Sequence, residues 1–328
     1  MANERLSPLA WSFALRRCME ECKRAYYYRR FWSQRPAERR KRLWEMSHLK
    51  TVPMLRGEVV HLAIANALKQ AERGEVPGIG QVGDEALSLI RCKVSESKSE
   101  MWRDGMLPPG KRASEVTILS EHYYGCPEDT LRIRVAEAEE CVTSALGVLL
   151  ASELWARLVR GLCARKWSLI ERANELGEFH IGTAPARIKV DMAANLGDGP
   201  TLIDWKTGAP SDDDRQQLLV YALYAQEKWH WAPSQVRLYA VYLLNSEPKV
   251  QRVKPEAGEL EELRESICRQ YAEMEALEAA GCAGAEDSFP QSGGVQCQRC
   301  SFRAACGVQP SVWEREARQR GGVRSPTE

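Results

Sequence analysis

The sequence lacks any uninterrupted apolar run of the roughly 18 residues that a membrane-spanning helix needs. Its start, MANERLSPLAWSFALRRCMEEC, lacks the charged, apolar and cleavage regions of a signal peptide. It also lacks an excess of one charge, because 46 Lys and Arg face 45 Asp and Glu, which excludes a generally basic nucleic-acid coat protein. A P-loop, G-x-x-x-x-G-K-[ST], is missing too, so no helicase motor is predicted in this sequence. We expect a cytoplasmic protein.

The basic residues are concentrated near the start of the sequence. Residues 1–50 hold 13 Lys and Arg against 5 Asp and Glu, and residues 23–42 hold nine basic residues against one acidic. Aromatic residues are interleaved with these cations, a mixture typical of single-stranded DNA binding, where cations meet phosphates and rings stack on bases. The DNA-binding candidates are Arg24, Arg29, Arg30 and Tyr27. The alternative is that the aromatic residues are core and the arginines a solvated face.

Hydrophobic periodicity indicates an α/β protein. Helices are predicted at 9–32, 57–73, 211–229 and 256–281, and strands at 186–196, 201–208, 236–244 and 249–254. The turn residues at 197–200 predict that the first two strands pair as a hairpin or lie side by side. Residues 85–180 are mostly helical in pattern and show no obvious chemistry.

These changes of pattern divide the sequence into five segments. They are a basic and aromatic helical segment (1–56), a first core helix with its loop (57–84), a helical insertion (85–184), the main core (185–285) and a C-terminal cysteine segment with its tail (286–328).

The strongest chemical signal is a pair of carboxylates on the first two predicted strands. Asp191 is followed by Asp204, and Lys206 comes two positions later. Because strand side chains alternate, Asp204 and Lys206 lie on the same face. Carboxylate oxygens are preferred Mg²⁺ ligands, and a nearby ammonium can hold an attacking water and stabilise charge on phosphate. The alternative for the Asp204 and Lys206 pair alone is a strand that ends in two solvent-exposed charges.

Two helices add further candidates. His61 ends the pattern G-x-x-x-H on helix 57–73 and is a third metal-ligand candidate, although a lone helical histidine is more often structural. Gln217 and Tyr221 are four residues apart and share one helix face, where they can orient the lysine or contact DNA. The alternative is an ordinary amphipathic helix. The three aspartates at 212–214 are explained by the preference of a helix start for negative charge.

Eleven cysteines are present, an odd number that excludes complete internal disulfide pairing. Cys297, Cys300 and Cys306 form the pattern C-x₂-C-x₅-C and supply three thiolates. A tetrahedral Zn²⁺ or an iron–sulfur cluster needs a fourth ligand.

The order of the motifs G-x-x-x-H, D, I-D-x-K-T-G and Q-x-x-x-Y resembles the RecB-type nuclease branch of the PD-(D/E)XK superfamily. The resemblance implies a restriction-endonuclease-like α/β core, with a mixed central sheet flanked by helices. Carried over residue by residue, it implies that catalytic Mg²⁺ or Mn²⁺ is bound by His61, Asp191 and Asp204, that Lys206 assists the hydrolytic water, and that Gln217 and Tyr221 support the site.

A subset of these nucleases, which includes CRISPR-adaptation nucleases, AddB-type subunits and exonuclease V, holds a 4Fe–4S cluster on one early and three late cysteines. The resemblance implies that Cys22 joins Cys297, Cys300 and Cys306, because Cys22 opens a C-P-x-x-[FY]-like stretch in which lysine replaces the proline. Cys18 is the competing first ligand, and zinc is the chemical alternative to the cluster.

The resemblance also implies a function. We expect a metal-dependent deoxyribonuclease, an exonuclease more than an endonuclease, that acts on single-stranded DNA ends or overhangs in DNA repair, CRISPR adaptation or phage defence. A helicase or integrase partner follows only by analogy. The alternative is a non-catalytic DNA-binding or scaffold subunit, against which the intact His61, Asp191, Asp204 and Lys206 argue.

Overall fold

A computed structural model of the chain describes residues 6–104, 115–163, 168–170, 176–195, 199–256, 258–282 and 286–308. Within these ranges the helices are α1 (Phe13–Glu21), α2 (Lys23–Phe31), α3 (Ala37–Ser47), α4 (Val52–Glu72), α5 (Ile79–Lys98), α6 (Met101–Asp104), α7 (Ser120–Tyr123), α8 (Glu128–Leu150), α9 (Glu153–Cys163), α10 (Asp212–Trp229) and α11 (Glu259–Cys282). The strands are β1 (Leu49–Lys50), β2 (Ile118–Leu119), β3 (Ser168–Ile170), β4 (Gly177–Ile181), β5 (Ala184–Ile188), β6 (Met192–Asn195), β7 (Pro200–Lys206), β8 (Arg237–Tyr242) and β9 (Lys249–Val253).

The main sheet has five strands in the order β3-β6-β7-β8-β9. Its β7 and β8 are parallel, and the other neighbouring pairs are antiparallel. Parallel neighbours need a long crossover connection, which contains α10. This helix begins with a capping box between Ser211 and Asp214 and ends at His230, whose φ of 56° is left-handed.

The side chains of β7 alternate between two hydrophobic cores. Ile203 and Trp205 belong to the core shared with α4, α5, α8 and α9, whereas Leu202 belongs to the core shared with α10 and α11. Full burial of an aliphatic side chain of this kind contributes roughly 1.5–3 kcal/mol. Because strand side chains have a period of two, Asp204 and Lys206 share the face of Leu202, towards α10.

The two ends of the described chain pack together. Arg30 Nε on α2 donates to Glu278 Oε1 on α11 at 2.6 Å, and both side chains are mostly buried. Arg24 Nη1 lies 3.0 Å from Glu286 Oε1, in the turn that follows α11. These partly desolvated ion pairs join segments about 250 residues apart in the sequence.

The α/β class and the mixed sheet are confirmed, but the strand predicted at 186–196 is wrong as a single element. β5 ends at Ile188 and pairs with β4, whereas β6 begins at Met192 and pairs with β3 and β7. The chain therefore changes sheets here, and Asp191 lies in the break. The predicted pairing with the following strand is confirmed by the antiparallel contact of β6 with β7.

Within the expected helical insertion the structure describes helices α5 to α9 and the short strand β2, and the prediction is wrong at strands β3 and β4. The boundaries of the five segments stay predictions. The apolar face of α8 is buried, with Val142, Leu146 and Leu149 at most 1% exposed. Among the described helices, none alone has the length and apolar character to cross a membrane. The α8 and α9 pair passes that test only together, by length and composition, and is bent by 64°.

Candidate active site

Lys206 lies at the end of β7, with three side-chain oxygens around its ammonium. Its Nζ is 2.6 Å from Asp204 Oδ2, 2.8 Å from Gln217 Oε1 and 2.9 Å from Asp214 Oδ1. The Lys206 side chain is 18% exposed, and that of Asp204 is 2% exposed. Gln217 Oε1 accepts a hydrogen bond from this ammonium, and the carboxylates of Asp204 and Asp214 are its ion-pair partners.

The predicted accessory residues Gln217 and Tyr221 do meet the predicted carboxylate. Gln217 Nε2 lies 3.0 Å from Asp204 Oδ1 and 2.9 Å from Tyr221 Oη. The Tyr221 hydroxyl is 3.1 Å from the same Asp204 oxygen and 2.5 Å from the carbonyl oxygen of Lys189. The i, i+4 spacing on α10 thus places both side chains against β7.

Asp191 and His61 form the other half of the site. Asp191 Oδ2 accepts the backbone N–H of Trp205 at 2.8 Å, which ties the break between β5 and β6 to β7. Asp191 Oδ1 lies 3.1 Å from His61 Nδ1, on α4. The Asp191 side chain is buried, and that of His61 is one-quarter exposed. The structure therefore brings the predicted residues of α4, β7 and the β5–β6 break together.

The two carboxylates disfavour each other's charge. Burial and, to a smaller extent, the charge of Asp191 raise the pKa of Asp204 to about 7, against the opposing effect of Lys206. Burial lowers the pKa of Lys206, but Asp204 and Asp214 outweigh it, so that its pKa is raised overall. Lys206 is consequently a cation at neutral pH.

The donor chemistry of this site fits a divalent cation. Asp204 Oδ2 is buried and accepts no well-aligned hydrogen bond, although the Lys206 ammonium is close to it. Two carboxylates and one imidazole suit Mg²⁺ or Mn²⁺, and a cation would relieve the repulsion between Asp191 and Asp204. In the part of the chain that the structure describes, no three His, Cys, Asp or Glu side chains are arranged to hold one ion. These side chains thus have the donor atoms and the charge that a divalent metal ion needs, but they are not arranged as a complete set of ligands around one ion.

The sequence prediction missed two contributors to the site, Asp214 and Arg56. It explains Asp214 by the helix start alone, although the spacing of three residues to Gln217 places both on one face of α10. It also misses Arg56, whose Nη2 donates to the carbonyl oxygen of Thr207 at 2.7 Å. A Cβ at Gly57 would lie 3.2 Å from Thr207 Oγ1, so α4 approaches the residue after Lys206 closely. Their adjacency to the G-x-x-x-H and D-x-K motifs is the signal that could have found them.

The predicted cluster cysteines lie near one another. Cys22 separates α1 from α2, and the three late cysteines lie in turns within 295–307. Both Cys22 and Cys297 act electrostatically on Cys300 and Cys306. Cys18, the competing ligand, acts on Cys300 as well. The topology therefore brings the early and late cysteines near one another, and their role as cluster ligands stays a prediction.

The thiols of Cys22 and Cys18 differ in acidity. Burial raises the pKa of Cys22, but hydrogen bonds from Ser292 and from backbone groups after Cys22 outweigh burial and lower it overall. Cys22 is also the N-cap of α2, where a negative charge is favoured. Burial raises the pKa of Cys18 to about 11. The ionised form that binds metals is thus easier to form at Cys22.

The predicted DNA-binding residues are mostly engaged within the protein. Tyr27 is 1% exposed, and its ring centroid lies 4.7 Å from that of Phe289. Arg24 and Arg30 form the ion pairs that join the two ends of the chain. Base stacking by Tyr27 is therefore incompatible with this conformation, because its ring is covered. Arg29 is exposed, and its contact with DNA stays a prediction.

In this mixed sheet, strand β7 carries an aspartate and a lysine on one face, next to a second aspartate. This arrangement defines the class of metal-dependent phosphodiesterases built on such an α/β core. The family model of the PD-(D/E)XK nuclease superfamily matches residues 10–307. The chain belongs to this superfamily, whose members are typically nucleases and usually use divalent metal ions. Comparison with curated proteins gives no match.

Proposed function

We propose that the protein is a metal-dependent deoxyribonuclease of the RecB-type branch. The observation that carries the proposal is the contact of Lys206 with Asp204 and Gln217 at one end of β7, beside the bonded pair of Asp191 and His61. A purely structural ion pair would need neither the second carboxylate nor the buried, poorly satisfied oxygen of Asp204. A non-catalytic scaffold subunit would not need this arrangement.

The reaction in this proposal is hydrolysis of a phosphodiester bond. Water attacks phosphorus, the bond from phosphorus to the 3′ oxygen breaks, and that oxygen leaves with a proton as a 3′-hydroxyl, opposite a 5′-phosphate. A Mg²⁺ or Mn²⁺ ion held by His61, Asp191 and Asp204 would polarise the phosphate and a bound water.

The protein's own groups position the reactants. Lys206 is protonated, so it donates N–H bonds to the water or to a phosphate oxygen and stabilises the negative charge that develops there. Gln217 Oε1 fixes the direction of the ammonium, and Tyr221 fixes the carboxylate of Asp204. Removal of one preorganised charge of this kind costs on the order of 10²–10³ in rate.

The cysteines in this proposal hold a 4Fe–4S cluster on Cys22, Cys297, Cys300 and Cys306. Two observations support it: the electrostatic proximity of the four thiols, and the lowered pKa of Cys22. The cluster would link α2 to the end of the core and have a structural role. A single Zn²⁺ on the same four thiolates is the chemical alternative.

The substrate in this proposal is a single-stranded DNA end or overhang, degraded as an exonuclease does, in DNA repair, CRISPR adaptation or phage defence. A helicase or integrase partner belongs to the same proposal. Ten cysteines are free thiols among the residues whose side chains the structure describes, which suits a reducing compartment such as the cytoplasm.

The test is cleavage of end-labelled single- and double-stranded DNA with Mn²⁺, Mg²⁺ or EDTA. Wild type is compared with Asp204→Ala and with Asp212→Ala, which removes an exposed carboxylate from the first turn of α10. We expect metal-dependent cleavage that Asp204→Ala abolishes and Asp212→Ala retains, with a product ladder that reports polarity. Absence of cleavage by a folded wild-type protein would favour the scaffold alternative.

A second measurement separates the two metals of the cysteine site. Anaerobically purified protein that is brown and contains iron and sulfide supports the cluster. A colourless protein with stoichiometric zinc would overturn it.

A further inference from the structure

Lys206 has one partner that the nuclease motifs do not include. Asp214 Oδ1 lies 2.9 Å from its Nζ, and the Asp214 side chain is 12% exposed. Asp204 and Gln217, the other two partners, are both motif residues. Asp214 is therefore an additional buried charge in contact with the lysine.

Asp214 is itself held in place through its second oxygen. Asp214 Oδ2 accepts the backbone N–H of Ser211 at 2.8 Å and the hydroxyl of Tyr242 at 3.0 Å. Tyr242 lies on β8, the parallel neighbour of β7, and is 2% exposed. With Oδ2 occupied by these two donors, Oδ1 is directed at Lys206.

The neighbouring aspartates on the same helical turn behave differently. Asp213 pairs with Arg16 on α1 at 2.7 Å, and Asp212 is exposed. Attraction to the helix start would act on all three alike, so it does not explain why Asp214 alone contacts the lysine. Helix α10 carries Asp214, Gln217 and Tyr221 at spacings of three and four residues. All three therefore lie on the face of the helix that is turned towards β7.

We infer that Asp214 is a positioning residue for Lys206, which keeps the ammonium at the reaction site through an ion pair that is independent of the carboxylates that bind metal. Asp204 is both a partner of the lysine and a proposed metal ligand, so a cation would compete with Lys206 for its oxygens. Asp214 has no such second task. The inference rests on the proposed nuclease function.

The first test is the single-turnover kinetics of Asp214→Asn. Asparagine retains an acceptor for the Ser211 N–H, so the helix cap is kept and the charge is lost. We expect the cleavage rate constant to fall about 10- to 100-fold, with DNA affinity unchanged. Asp212→Asn, the matched loss of charge on the same turn, should change neither quantity. Tyr242→Phe, which frees Asp214 Oδ2, should lower the rate constant by a smaller factor.

A rate constant for Asp214→Asn within threefold of wild type, or an equal loss in Asp212→Asn, would overturn the inference and leave the nuclease function standing. A wild-type protein that cuts no DNA would instead overturn the proposed function, and the positioning role with it. The two failures are distinguished by the wild-type reaction.

The second test needs no activity. It is a double-mutant cycle for the ion pair of Lys206 with Asp214. The unfolding midpoint is measured for wild type, Asp214→Asn, Lys206→Met and the double variant. We expect Asp214→Asn to lower the midpoint by about 3 °C more in the wild-type background than in Lys206→Met. Equal shifts in the two backgrounds would show that Asp214 acts only as a helix cap.

Discussion

The lysine site at the end of β7 and the cysteine segment are both polar, but their side chains are held differently. Lys206 contacts three side chains at 2.6–2.9 Å, and each of these partners makes further hydrogen bonds to the fold. Cys300 Sγ instead accepts the backbone N–H of Phe302 at 3.4 Å, and Cys22 accepts hydrogen bonds from Ser292 and from backbone groups that follow it.

This difference has a physical consequence. A network of mutually bonded side chains is preorganised without a ligand, so it can serve catalysis at once. Thiols on separate segments of the chain, without hydrogen bonds to one another, depend on the group they bind for their cohesion. Loss of the proposed catalytic metal should therefore stop activity and leave the fold intact, whereas loss of the proposed cluster should loosen the fold.

The largest effect is expected from Lys206→Met. The variant removes the cation and should lower the rate constant of DNA cleavage by about 10³, because the remaining groups do not stabilise the developing phosphate charge. DNA affinity should stay close to wild type, whereas the unfolding midpoint should fall, because the buried carboxylates of Asp204 and Asp214 lose the cation that pairs with them. Single-turnover cleavage and a binding titration measure the two quantities, and Lys249→Met, at an exposed lysine of β9, is the control. Activity within tenfold of wild type would contradict the assigned role.

Changes in the cysteine segment should affect the stability of the fold more than the chemistry of cleavage. Cys22→Ser should remove the visible absorption of the cluster and lower the unfolding midpoint by about 10 °C, since a link that closes nearly the whole chain stabilises by about 5 kcal/mol. Cys18→Ser is the matched control, one helical turn earlier, and should keep both properties. If Cys18→Ser loses the absorption and Cys22→Ser keeps it, the first ligand is Cys18.

A smaller effect concerns pH. The folded-state pKa of Asp204, about 7, lies above its ordinary value of 3.8. Its contribution to stability is therefore fully present below pH 3.8 and is lost as pH rises through about 7. Metal-free wild type should lose about 1–3 kcal/mol over this window relative to Asp204→Asn, which cannot ionise. Urea unfolding in EDTA across this range measures the difference, and a pH-independent difference would show that Asp204 is ionised throughout.

The smallest effect is expected at Arg29. Arg29→Ala should weaken DNA binding two- to threefold and reduce the salt dependence by about one charge, as expected for a single phosphate contact. Arg160→Ala, at an exposed arginine on α9, should change neither. Equal effects of the two variants would leave the DNA-binding surface elsewhere on the protein.

Much of the site follows from local spacing. Asp204 and Lys206 share a face because strands have a period of two, and Gln217 and Tyr221 share a face because they lie one helical turn apart. The strand at 186–196 is not predictable in this way. Its hydrophobic pattern continues past Lys189, while pairing partners elsewhere in the chain decide where β5 ends and β6 begins.

The basic N-terminal window shows the same limit. Its composition favours a DNA-binding surface, but four of its nine cations have acidic partners on α11 or in the turn that follows: Lys23, Arg24, Arg30 and Arg39. These partners are about 250 residues distant in the sequence, so no local pattern indicates them. Composition therefore overstates the free positive charge of this segment.

The sequence alone determined the class of the core and the identity of the motif residues, because hydrophobic periodicity and motif spacing are local patterns within single helices and strands. The tertiary structure decided which of these residues meet. The crossover through α10 places Asp214 beside Lys206, and the break between β5 and β6 places Asp191 against Trp205. These contacts depend on how distant segments pack, and packing is a property of the whole chain, not of its local pattern.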